Sequence, residues 1–127
     1  MEAEEHAEAR LSFVVGEEDT AAVLGSGDLP VLGTPRLLAW AEAATCQVAQ
    51  ALLPRGATTV GTDISLEHRR PTPVGARVWV TAALTQRDER RLVLKVVAVD
   101  SSDEVVGAGI VTRAVVDRER FLARLSR

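Results

Sequence analysis

Apolar and polar residues alternate along the start of this chain, change period once, and then return to alternation. Leu11, Phe13 and Val15 stand against Ser12, Val14 and Gly16, the two-residue repeat of a short strand, and the turn chemistry of Gly25-Ser26-Gly27-Asp28 follows. From residue 34 the repeat lengthens. Leu37, Ala41, Ala44, Val48 and Leu52 form one stripe at helical spacing, with Arg36, Ala43, Gln47 and Gln50 opposite. Thr34-Pro35 reads as an N-cap followed by the first helical residue, and Pro54-Arg55-Gly56 closes the run, which predicts a helix of about five turns. Residues 58–69, 76–87, 91–100 and 104–116 are then of strand type, and their short connections make antiparallel neighbours. In the second of these, Val78, Val80, Ala82 and Leu84 give one consistently apolar face. Asp117 is placed to cap a last helix through Leu125.

The order strand, long helix, four strands predicts an α+β fold, with the long helix packed on a five-stranded antiparallel sheet. Residues 10–127 are expected to form this single domain. Residues 1–9, rich in Glu and Ala and containing His6, are expected to be a disordered tail. Composition narrows the core: 46% of residues are hydrophobic but only 3% aromatic, with no Tyr, so Val, Leu and Ala must fill it. One helix cannot cover both faces of such a sheet, so a second copy is expected to meet what is left bare.

A formal net charge of −3, with both signs interspersed, leaves no electrostatic footprint for nucleic acid or a membrane surface. No run approaches the ~20 apolar residues of a membrane span, and the acidic start does not read as a secretory signal. Cys46 is the sole cysteine, so no internal disulfide can form, which suits a cytoplasmic setting.

Three residues invite chemistry. Thr34, at a helix start, lies beside unpaired backbone N–H groups and the positive end of the helix dipole, a place suited to a carbonyl oxygen gaining charge; an ordinary N-cap would look the same. Glu42 is the only charged residue between Leu37 and Leu53 and falls on the shoulder of the apolar stripe. A carboxylate flanked by apolar groups tends toward a raised pKa and toward general-base work, although a helix-edge glutamate facing water fits the same position. By strand alternation His68 joins Val60, Ile64 and Leu66, which points it toward the helix as a proton shuttle or as a rim residue. Arg69 and Arg70, next in line, could meet phosphates or simply end a solvated strand. Cys46 reads as core filler. Two histidines, one in the tail, and one cysteine make a metal cage improbable, and GSGDLPVLGTP lacks the spacing and lysine of a nucleotide loop.

The stretches VLGTPRLLAWAEAA, LPRGATTVGTDISLEH, PTPVG and VVGAGIVTRAVVDRERF resemble the fluoroacetyl-coenzyme A thioesterase-like branch of the hotdog superfamily. The resemblance implies a hotdog fold and a homodimer hydrolysing a small acyl-CoA thioester to free acid and CoA, with no cofactor or metal. It implies Thr34, Glu42 and His68 as the catalytic set. It also implies that Gly61 lines the acyl pocket; Arg69, Arg70 and Arg113 are expected beside it as substrate contacts. Members that select fluoroacetate close the pocket with aromatic side chains before the central helix, and GSGDLPVLGT has none. General acyl thioester hydrolysis is therefore expected without fluoroacetate selectivity. The alternatives are a hotdog hydratase or dehydratase, whose D-x-N-P-x-H pattern is missing, and a non-catalytic acyl-thioester-binding dimer.

Overall fold

The computed structural model describes residues 7–126. Its elements are β1 (Glu8–Val14), a 3-10 turn (Glu17–Asp19), α1 (Ala21–Leu24), α2 (Thr34–Leu52), β2 (Ala57–His68), β3 (Arg77–Arg87), β4 (Arg91–Val99), β5 (Val105–Asp117) and α3 (Arg118–Arg124). The five strands form one antiparallel sheet in the order β1-β3-β4-β5-β2, and α2 packs on one face of it. Because β1 and β2 are the two edges, α2 carries the chain across the sheet from one edge to the other. The α+β architecture expected from the periodicities is the one observed.

Alternation decides which face α2 covers. Val78, Val80, Ala82 and Leu84 of β3 and Leu92, Leu94, Val96 and Ala98 of β4 are all buried against the helix stripe of Leu37, Ala41, Ala44 and Val48. Two aromatic side chains join this layer. Trp40 stacks on Phe13 of β1 with ring centroids 4.5 Å apart, which ties the helix to the edge strand.

Three expectations are corrected. Strand β1 begins at Glu8, inside the stretch expected as a tail, because residues 8–14 pair with β3 and Ala7 and Ala9 pack on the core; His6 and the rest of residues 1–6 lie outside the described residues. The N-cap of α2 is Gly33 rather than Thr34, so Thr34 and Pro35 are the first two residues inside the helix. Strand β2 is not regular either: its register against β5 shifts between Gly61 and Asp63. Gly61 pairs with Arg113 and Val60 with Ala114; Arg113 also pairs with buried Leu92, so Gly61 faces the helix and Val60 faces away. The bulge puts Thr59 and Gly61 on the same side as Ile64, Leu66 and His68, where unbroken alternation would have put Val60.

Candidate active site

The start of α2 is fixed by the segment before it. Gly33 N–H donates to the Asp19 carbonyl, Leu32 N–H to the Thr72 carbonyl, and Asp19 pairs with Arg36 at 2.8 Å. With capping left to the Gly33 backbone, the Thr34 hydroxyl is free for another partner. It lies 2.7 Å from His68 Nδ1 at the end of β2. Burial lowers the pKa of His68 below its ordinary 6.5, against a smaller opposing effect of a backbone hydrogen bond with Arg70. The imidazole is neutral at pH 7, so the hydroxyl can donate to Nδ1 while Nε2, shielded from solvent and without a well-formed hydrogen bond, carries the proton.

Two turns further along α2, a second group is assembled. Arg113, on the helix-facing side of β5 and only 5% exposed, donates from Nη1 to Glu42 Oε2 at 3.0 Å and from Nε to Thr59 Oγ1 at 2.8 Å. Its Nη2 reaches the Thr59 carbonyl at 3.4 Å. The apolar surround expected for Glu42 is therefore absent: a guanidinium holds one carboxylate oxygen, and the side chain stays 34% exposed. Gly61 lies directly beneath. A Cβ there would collide with Glu42 Oε2 and come within 3.4 Å of Arg113 Nη1, so only glycine leaves the carboxylate in place.

The named residues thus fall into two groups, Thr34 with His68 and Glu42 with Arg113, Thr59 and Gly61. Eight helical residues separate Thr34 from Glu42, about 12 Å along the axis. Arg69 is bonded to Glu67 and Arg70 lies 3.7 Å from Glu104, all four side chains at least half exposed. Thr59 was not singled out from sequence. Its signal was Arg113, a charge at the inward parity of β5 between buried Val111 and half-buried Val115 that has to find partners. Among the described residues no cluster of His, Cys, Asp or Glu could hold a metal ion, and no helix is long and apolar enough to cross a membrane.

Residues 15–119 match the family model described as fluoroacetyl-CoA-specific thioesterase. A fluoroacetyl-CoA thioesterase of Streptantibioticus cattleyicolor is 41% identical over 70 residues; the match spans 55% of this chain and half the length of that relative. A solved structure of a fluoroacetyl-CoA thioesterase superposes with a TM-score of 0.86 at 31% identity, covering 95% of this chain and 93% of its own. A hot-dog-like protein from Thermanaerovibrio acidaminovorans shares the fold, with a TM-score of 0.86 at 22% identity over 98% of this chain and 95% of its own.

Proposed function

The chain belongs to the fluoroacetyl-CoA-specific thioesterase family, and from that premise we propose that it hydrolyses a small acyl-CoA thioester in a site shared between two copies. The observation that carries this reading is the pairing of Thr34 with His68 and of Glu42 with Arg113 at two separate places on one rigid helix. Neither pair alone offers both a nucleophile-activating carboxylate and a proton donor for a leaving thiolate. Two copies supply both.

The outer edge of β2, unpaired among the described residues, provides the means. Gly61, Thr62, Asp63, Ser65 and Glu67 along it are exposed, and a twelve-residue open edge invites pairing. Antiparallel pairing of two β2 edges about Ser65 sets Ile64 opposite the partner's Leu66 and Asp63 opposite the partner's Glu67. Beyond the bulge, Gly61 then stands opposite the partner's His68. Arg69, already on Glu67 in each chain, offsets the acidic pair. The Glu42 group of one chain then faces the Thr34 and His68 group of the other.

In that site Glu42 accepts a proton from water as the water oxygen attacks the thioester carbonyl, or attacks the carbonyl itself. The hydroxyl of Thr34 and the first N–H groups of α2 stabilise the oxyanion. As the carbon–sulfur bond breaks, the proton that left the water passes by way of His68, which takes it up and gives it on, to the departing sulfur, and CoA leaves as a thiol. The acid product takes up water either in that attack or, where Glu42 itself attacks, when water opens the resulting Glu42 anhydride and frees the carboxylate.

Val23 and Leu29, 65% and 61% exposed in the segment before α2, are aliphatic and leave the acyl end without an aromatic lid. Fluoroacetyl-CoA and acetyl-CoA are therefore hydrolysed at rates within about tenfold of each other. Thiol release from a panel of acyl-CoA substrates tests this. A preference of several orders of magnitude for fluoroacetyl overturns the lid inference, and no thiol release from any member overturns the function.

A further inference from the structure

A cavity of about 230 Å³ opens where the end of α2 meets the start of β2 and of α3, lined by Cys46, Gln50, Arg55, Thr58, Thr59 and Arg118 among others. It adjoins the proposed site on two sides. Thr59 holds Arg113, and Cys46 follows Glu42 by one turn on the same side of the helix. Both arginines at its mouth are exposed, and among the described residues neither guanidinium has an ion-pair or hydrogen-bond partner. Two carboxylates flank Arg118 in sequence: Asp117 accepts from Arg120 N–H as the cap of α3, and Glu119, exposed in its first turn, forms no ion pair with Arg118 among the described residues. Arg69 and Arg70, by contrast, are already engaged with Glu67 and Glu104. The groove is therefore cationic, with donors from Gln50 and Thr58 beside the guanidinium groups.

Its distance from Glu42 suits a particular ligand. Leu53, on the cavity wall, lies eleven residues beyond Glu42, about 16 Å along the helix. Standard bond lengths make an extended pantetheine arm, from thioester sulfur to diphosphate, about as long. We propose that this groove is the phosphate subsite for the nucleotide end of coenzyme A, with Arg55 and Arg118 as its anion-binding residues. The inference rests on the acyl-CoA reading above and narrows it, since a substrate lacking the nucleotide gains nothing from the groove.

The test compares the unmodified protein with the Arg55→Ala, Arg118→Ala double variant on an acyl-CoA and on the same acyl group carried by pantetheine. Charge-assisted phosphate contacts of ordinary strength put the expected rise in KM for the CoA ester at about tenfold or more. The turnover number and both constants for the pantetheine thioester should stay within about twofold. Two measurements need no catalysis. Adenosine 3′,5′-bisphosphate should bind the unmodified protein and slow alkylation of Cys46 by iodoacetamide, and the double variant should lose both effects. Equal changes on the two thioesters, bisphosphate binding indifferent to the double substitution, or inorganic phosphate protecting Cys46 as well as the bisphosphate does would each overturn the proposal. If neither thioester is hydrolysed, the hydrolase reading fails, while bisphosphate titration still decides the groove: binding lost in the double variant sustains it, and no binding by the unmodified protein ends it.

Discussion

At the scale of single residues, chemistry rests on what each polar side chain touches. Glu42 keeps its carboxylate because Arg113 and the missing Cβ of Gly61 hold it in one place. Glu42→Gln preserves the shape and removes the base, so turnover should fall about a hundredfold or more with the fold intact; near-normal turnover in a steady-state assay would take Glu42 out of the mechanism. His68 makes a pH prediction with a definite sign. Burial lowers its folded pKa below 6.5, so the folded protein binds fewer protons than the unfolded chain in the window just beneath that value. The stability this contributes is present above 6.5 and is lost as pH falls through that window to the folded value. For the same reason the acid limb of kcat/KM that reports His68 should lie below 6.5 and vanish in His68→Gln; an acid limb at or above 6.5 would contradict the burial argument. Thr34, Glu42 and His68 were legible in the chain as residue types in suggestive places. Their partners were not, because Arg113 reaches Glu42, and Thr59 braces Arg113, only once β5 and β2 lie side by side; the two are 71 and 17 residues from Glu42 in sequence.

The elements were legible where periodicity is long and regular, as in α2, β3 and β4, and blurred where a backbone feature broke the count. Thr34 has the sequence signature of an N-cap because threonine commonly serves there; the Gly33 backbone takes that place and frees the hydroxyl for His68. The β2 bulge is invisible to alternation, yet without it the helix-facing side would hold Val60 in place of Gly61. Two glycines on opposite sides of this strand pairing separate function from fold. At Gly61 an added Cβ meets the end of a flexible carboxylate, so Gly61→Ala should cut turnover by moving Glu42 off Arg113 while shifting the melting temperature by less than about 3 °C. At Gly109 the Cβ meets the Ser65 carbonyl and lies 2.8 Å from Leu66 Cα, all backbone that cannot swing aside. Gly109→Ala should therefore cost about 2 kcal/mol or more in denaturant unfolding, the scale of an overpacked core. The reverse ranking, with Gly61→Ala the less stable variant, would mean that β2 and β5 do not pair as described.

For the whole molecule, the sequence already implied a partner, since one helix covers one face of a five-stranded sheet, and the structure adds an open β2 edge on which residues of the proposed site lie. What no residue pattern could say is which groups belong together, because the answer depends on distances along α2 and on a second copy. The shared site is the central claim, and subunit mixing tests it most directly. Thr34→Ala and Glu42→Gln proteins, each inactive, are unfolded together and refolded at equal concentration, and thiol release is followed. Each mixed dimer holds one site with both residues intact, so random reassortment should restore about one quarter of the unmodified activity. Mixed dimers that demonstrably form yet stay inactive would contradict the account.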